Sequence, residues 1–283
     1  MIKPYNCRNC GFLDAPQFLF IKWGYNIYRC IHCGTGFTEI GTDFNPKNFY
    51  DEEYFQGGQK DGYADYAGSQ KILRKEFNKL VSKLLEYSLP GGKLLEIGCA
   101  YGFFLSEASA FYDCIGVEVS KEAAKYAVDI GSKVYNQCID ENLIKKIGPF
   151  DVVVMLDVIE HLVNPVAIIQ LISENIKQNG ILLITTGDFS SLYSKISGKR
   201  WRLMTPPQHL HFFTKKGLIS LIERNRFKLV SAKYQWKYVP GGLILYQITR
   251  RMGWRLKWIR RFHAFGIPVN LFDTLTIIAK KVS

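Results

Sequence analysis

Between Lys93 and Asn225 the chain alternates short apolar runs with amphipathic ones, and few architectures tolerate that order. KLLEIG, CIGVEV, KVYNQ, FDVVVMLDV and GILLITTG read as strands. Their near-continuous Val, Ile and Leu content suits a parallel sheet covered on both faces. Between them FFLSEASAF, KEAAKYAVDI and NPVAIIQLISENIKQNG read as helices, and TKKGLISLIERN follows. Asn164 and Thr214 are expected N-caps, and Gly180 is expected just past a helix end. FKLVSAKYQW and TLTIIAKK supply two further strands. A helix is predicted from Gln70 to Tyr87, where Ile72, Leu73, Phe77, Leu80, Val81, Leu84 and Leu85 recur at helical spacing. Pro90-Gly91-Gly92 breaks it. Strands alternating with helices predict a doubly wound α/β sheet.

A second pattern lies ahead of that sheet. Cys7-x-x-Cys10 and Cys30-x-x-Cys33 are separated by 19 residues. Each CxxC turn sets two thiolates on one side of a bend, and two such turns complete a tetrahedral zinc site. FLFIKWGYNIYRC between them can supply two short strands. A closed four-sulfur site leaves no open position for catalysis, so the expected zinc is structural. Cys99, Cys114 and Cys138 read as small packed residues.

The turn after KLLEIG carries chemistry. Glu96-Ile97-Gly98-Cys99-Ala100-Tyr101-Gly102 passes from a strand through a tight bend into a helix. Glycines there permit positive φ and close backbone approach to a ligand. CIGVEVS places Glu118 about twenty residues later, where a carboxylate can take hydrogen bonds from a ribose diol. Nicotinamide dehydrogenases use a similar turn. Here the spacing is Glu-x-Gly-x-Ala-x-Gly rather than Gly-x-Gly-x-x-Gly.

LLEIGCAYGFFL resembles the first motif of class I S-adenosylmethionine methyltransferases. DVVVMLDVIEHLVNP and PPQHLHFFTKKGL resemble segments of the ubiquinone-biosynthesis-like branch called methyltransferase type 23, and YFQGGQKDGYADY resembles its aromatic lead-in. The likeness extends over most of residues 54–281. It implies a Rossmann-like, mostly parallel seven-stranded sheet whose last two strands form an antiparallel edge. It also implies roles. Gly98, Cys99, Ala100 and Gly102 would wrap the methionine part of S-adenosylmethionine, and Glu96 would approach its amino group. Glu118 would bind the ribose. Val119 and Ile139 would sandwich the adenine. Leu156 and Asp157 would face the methionine part, and Tyr63 and Tyr66 would close over the cofactor. Ala100 departs from the Gly of many members, and Cys138 from their Asp.

The sulfonium methyl is already electrophilic, so the protein must chiefly align the acceptor and exclude water. A hydroxyl or activated-carbon acceptor also needs a base. Three of the five histidines, His161, His209 and His211, follow the fourth and fifth of these strands. His209, which opens the His-Leu-x-Phe-Phe-Thr segment, is the first candidate base and His161 the second. Related ribbon-bearing sugar methyltransferases carry a Glu-His pair there, whereas this chain has Gln208. A structural histidine bonded to a loop carbonyl is the competing reading for both.

The expected organisation is a zinc ribbon over 1–40, an aromatic connector and cofactor lid over 41–67, and a methyltransferase domain over 68–283. A basic amphipathic insertion is expected at about 239–270, where Ile248, Met252, Leu256 and Ile259 recur among Arg250, Arg251, Arg255, Lys257, Arg260 and Arg261. With Trp254 and Trp258 it suits peripheral contact of 248–262 with an anionic membrane, or a lid over a phosphorylated substrate. The formal charge of +12 points to an anionic partner. No apolar run is long enough to span a bilayer, and an apolar signal core is lacking, so a cytoplasmic protein is expected. The expected reaction is methyl transfer to a small-molecule or glycan-type acceptor such as a sugar nucleotide, surface-polysaccharide or lipid-linked intermediate. An RNA methyltransferase is the alternative. The Asn/Asp-Pro-Pro motif of base N-methyltransferases has no counterpart in LDVIEHL, so nucleic acid is disfavoured. A non-enzymatic zinc-ribbon adaptor is the third reading.

Overall fold

The computed structural model describes residues 5–7, 9–41, 44, 68–240 and 266–283. Tyr63, Tyr66, most of the connector and residues 241–265 of the basic insertion lie outside them.

In the N-terminal part, β1 (Tyr5–Asn6) pairs with β2 (Leu13–Asp14), and β3 (Gln17–Lys22), β4 (Tyr25–Arg29) and β5 (Gly36–Thr38) form an antiparallel meander. Next come α1 (Gln70–Leu84), β6 (Lys93–Ile97), α2 (Phe103–Ala108), β7 (Asp113–Val117), α3 (Lys121–Asp129) and β8 (Val134–Tyr135). The chain continues through α4 (Glu141–Ile147), β9 (Phe150–Leu156), α5 (Pro165–Asn175), β10 (Ile176–Gly187) and α6 (Leu192–Ser197). It then forms β11 (His211–Phe212), α7 (Lys215–Arg224), β12 (Phe227–Tyr234), β13 (Lys237–Pro240), β14 (Gly266–Val269) and β15 (Thr274–Lys281).

Seven strands make the central sheet in the order β12-β15-β10-β9-β6-β7-β8. β8, β7, β6, β9 and β10 run parallel, and β15 pairs antiparallel with both β10 and β12. The sheet is the Rossmann-like, mostly parallel one implied by the sequence. Strand order reverses between β6 and β9, the switch point where ligands of such sheets bind beyond the carboxyl ends. Leu94, Leu95, Val152, Val153, Leu182 and Leu183 are fully buried, which explains the unbroken apolar runs. Asn164 and Thr214 cap α5 and α7 by accepting from Ala167 N and Gly217 N.

One boundary differs. Helix α5 stops at Asn175, and Gly180 does not follow its end. Ile176 is already in register with Phe150, and the strand bulges before Ile181 joins Val152. Asn179 takes a φ of 66° in that bulge. A Cβ on Gly180 would lie 2.8 Å from the Lys177 carbonyl oxygen and 3.0 Å from that of Asp151. Two helices were not anticipated: α4, capped by Asp140, and α6, capped by Ser191. Both are only about two turns long, too short for a periodicity to stand out.

Strand β11 belongs to a different sheet. It pairs with β5, giving a four-stranded sheet in the order β11-β5-β4-β3. Ile27 of β4, fully buried, packs with Trp201, Met204 and Phe212 from the segment after β10. The cysteine-bearing part thus shares both a sheet and a small core with the segment that follows the fifth parallel strand.

Candidate functional site

The bend after β6 is held from below and from the side. Gly98 N and Cys99 N donate to the Val117 carbonyl at 2.7 and 3.2 Å. Gly98 has a φ of 72°, and a Cβ there would lie 2.5 Å from Val158 Cγ2. The glycine is therefore demanded by packing against the turn after β9 as well as by conformation. Ala100 takes a φ of 45°, strained for a residue with a Cβ. Its backbone N–H donates to Glu118 Oε2 at 2.9 Å, while Ser120 N donates to Glu118 Oε1 at 2.8 Å. Glu118, at the end of β7, thus braces the strained bend, and each oxygen keeps a lone pair for another donor. Asn136 ties down the next loop by donating to the Glu118 and Val119 carbonyls.

Glu96 is 2% exposed, and its Oε2 has no hydrogen-bond partner among the described residues. Burial, and then the neighbouring Glu118 charge, push its carboxyl well above the usual range. A buried carboxylate oxygen left unpaired is costly unless a ligand satisfies it. Cys99 is buried, with its sulfur against Gly116 and 4.0 Å from the Ala100 carbonyl, whereas Cys138 is exposed rather than buried as its loop sequence suggested. Val119, Ile139 and Leu156 are half-buried. Asp157, directly after β9, has a φ of 55°. Thr185 holds it there: its hydroxyl donates to Asp157 Oδ1, and the Asp157 N–H donates to the Thr185 carbonyl, both at 3.0 Å.

The structure brings His161 and His209 together. Their rings meet edge to face, with centroids 4.6 Å apart. His161 Nδ1–H donates to the Gln208 carbonyl at 2.9 Å, and His209 Nδ1–H donates to the Leu203 carbonyl at 2.7 Å. A carbonyl can only accept, so both imidazoles carry a proton on Nδ1, and the His161 ring also bonds to the Asp157 backbone. Burial, then the adjacent His161, hold His209 down at about 3. Burial lowers His161 as well. Asp157 opposes both shifts. The carboxylate partner missing from position 208 is thus replaced by a carbonyl, while His161 and Asp157 complete the surroundings. Sequence reading overlooked Glu160, which is 3% exposed and gathers with His161 and His209 so that ligand atoms of all three lie within 4.8 Å. His211 is buried in β11.

The four cysteines converge. Cys7 Sγ lies 3.7 Å from Cys33 Sγ, and Cys10 Sγ 3.7 Å from Cys30 Sγ. Zn–S bonds of about 2.3 Å in a tetrahedron separate the sulfurs by about 3.75 Å. Both turns fold alike. Gly11 N donates to the Cys7 carbonyl and Gly34 N to that of Cys30, with φ of 73° and 75° at the two glycines. That glycine, one place after each CxxC, is the sequence signal of a matched pair of knuckles. Phe12 stacks on His32 at 4.8 Å and links them. The hydrogen bond between Cys7 and Cys33 lowers the Cys33 thiol and raises that of Cys7.

A family profile described as methyltransferase domain matches residues 69–232. An uncharacterized protein of Methanocaldococcus jannaschii is 30% identical over 148 residues, covering 52% of this chain and 70% of that one. A ubiquinone biosynthesis O-methyltransferase of Xylella fastidiosa is 32% identical over 138 residues, or 44% of this chain and 54% of that enzyme. The chain thus spans only about half the length of that relative. Among solved structures, a SAM-dependent methyltransferase from Archaeoglobus fulgidus shares the fold at a TM-score of 0.52 and 20% identity, covering 75% of this chain and 97% of that one. So does magnesium protoporphyrin IX methyltransferase from Synechocystis with bound SAH, at 0.54 and 14%, covering 83% and 98%. The profile takes in more than half of the chain and runs from α1 through most of β12, so this chain belongs to the methyltransferase-domain family, enzymes dependent on S-adenosylmethionine.

Proposed function

We propose that this protein transfers a methyl group from S-adenosylmethionine to a hydroxyl of a small-molecule or glycan-type acceptor, with His209 as general base. The observation that carries this reading is the histidine pair. Both imidazoles carry a proton on Nδ1, and their rings meet beside Asp157 at the sheet's switch point, where His209 presents its Nε2. The kinship with ubiquinone biosynthesis O-methyltransferases favours an oxygen acceptor.

The bound cofactor supplies an electrophilic methyl on a sulfonium. The protein's residues do the rest. Glu96 Oε2, buried and unpartnered, suits the ammonium of the cofactor's amino acid part, directly or through water. Glu118 takes the ribose hydroxyls on its remaining lone pairs. The backbone of Gly98, Cys99, Ala100 and Gly102 wraps the methionine part, which Leu156 and Asp157 face. Val119 and Ile139 take the adenine. His209 Nε2 removes the acceptor proton, with His161 beside it as alternate base. The four sulfurs hold structural zinc; their spacing suits that ion. The charge of +12 favours an anionic acceptor, such as a sugar nucleotide or lipid-linked intermediate.

The test is methyl transfer from labelled S-adenosylmethionine to a panel of sugar nucleotides, lipid-linked glycans, phenols and RNA. The reading expects a small-molecule or glycan acceptor whose methylation His209→Ala reduces about 10²-fold or more, with cofactor affinity retained. Transfer to RNA alone, or full activity in His209→Ala, contradicts it.

A further inference from the structure

The cysteine ribbon is built into the histidine site. We propose that it is a positioning device for the His161–His209 pair, acting chiefly through Thr38. The inference rests on the reading of that pair as the acceptor-side site.

Three routes join the two. The first is the shared sheet. Thr38 ends β5, five residues after Cys33, and grips the histidine loop twice. Its hydroxyl donates to the His209 carbonyl at 2.7 Å, and its N–H donates to the Leu210 carbonyl at 2.9 Å. Leu210 N then donates to the Glu160 carbonyl at 2.9 Å, one residue before His161. The loop bearing His209 is thereby strung between the ribbon and the turn bearing His161. The second route is the shared core. Leu203, whose carbonyl fixes the His209 tautomer, packs against the cluster of Ile27, Trp201, Met204 and Phe212. The third is the knuckle itself. Thr214 Oγ1 donates to the Cys33 carbonyl at 2.7 Å in a buried contact and accepts the Gly217 N–H at 3.0 Å.

These contacts set the ring by fixing the backbone on either side of it. The Nδ1–H bonds of both histidines go to carbonyls of residues 203 and 208, inside the segment that Thr38 and the shared core hold. A ribbon that merely stapled the N-terminus would need none of them. Among the described residues no hydrogen bond joins the cofactor bend directly to the ribbon: Glu118 braces the bend, and Val158, whose carbonyl takes the His161 N–H, packs against it. Loss of the clamp should therefore disturb the histidines first, while the Glu118 brace keeps the cofactor bend in place.

The experiment uses full-length, zinc-loaded protein with nitrogen-labelled histidine. Tautomers are read from two-bond nitrogen–proton correlations, and S-adenosylhomocysteine binding from calorimetry. Thr38→Val removes the hydroxyl at nearly constant shape, and Thr38→Ser restores it. The expected result is that Thr38→Val shifts the His209 signals and loses the pure Nδ1–H pattern, Thr38→Ser returns them, and cofactor affinity holds in both. Unmoved histidine signals in a folded Thr38→Val overturn the proposal. If that variant fails to fold, titrating the thiols of wild type with an organomercurial to eject zinc gives the second test. The same shifts with cofactor affinity kept support the proposal, and unchanged histidine signals refute it. The base reading fails separately. If His209→Ala methylates normally while Thr38→Val still moves the histidines, the clamp stands and the base assignment falls.

Discussion

Held near 3, His209 makes folding depend on pH. Its folded pKa is depressed below the ordinary 6.5, so between about 3 and 6.5 the unfolded chain binds the proton that the folded one refuses. Its contribution is fully present above about 6.5 and is lost as the pH falls through that window. At pH 5 the loss from this group is about 2 kcal/mol. Urea unfolding at pH 8 and pH 5 should show wild type weakened at the lower pH, and His209→Gln should recover about 1–2 kcal/mol of the difference. An unchanged pH dependence in the variant would mean that His209 titrates normally. Burial keeps the ring neutral at pH 7. Glu96 and Glu118 show the same economy at the other end of the site. One carboxylate is spent on backbone N–H groups, and the other is kept with an oxygen unpaired.

At the scale of elements, the contact of α7 with the second knuckle is the tightest point. A Cβ on Gly217 would lie 2.1 Å from Thr35 Oγ1. Alanine in a helix normally stabilises by about 1 kcal/mol relative to glycine. Here Gly217→Ala is expected to destabilise instead, by about 1–3 kcal/mol, because the knuckle must move away. Thermal unfolding gives the sign, and a gain in stability would show that the ribbon does not seat there. This contact was invisible in the sequence, as was the pairing of β5 with β11. Strands of three and two residues leave no period, and a docking contact between segments nearly two hundred residues apart has no local signature. What was legible followed from local rules. Buried strands made apolar runs, Asn164 and Thr214 announced caps, and Glu96, Gly98 and Glu118 stood at the ends of strands. His161 and His209 were legible only as candidates. Their tautomers depend on carbonyls of residues 203 and 208, which sequence cannot orient. The end of α5 was misplaced because Ile176 already belongs to the sheet, whose pairing overrides the helical pattern.

For the molecule as a whole, the parallel sheet positions two sites at neighbouring strand ends. In the proposed reading, the bend after β6 and the end of β7 form the cofactor side, and the turns after β9 and β10, the latter reached by the ribbon, form the acceptor side. No helix among the described residues is long and apolar enough to cross a membrane. The account's central claim is that the Glu118-braced bend holds S-adenosylmethionine. Calorimetry of wild type and Glu118→Ala with S-adenosylmethionine and S-adenosylhomocysteine tests it most directly, with thermal unfolding run alongside because the side chain also carries the Ala100 and Ser120 N–H groups. The expected result is saturable one-site binding in wild type and a loss of about 1.5–3 kcal/mol of binding free energy in the folded variant. Absence of binding by folded, zinc-loaded wild type, or equal binding by both proteins, would contradict it.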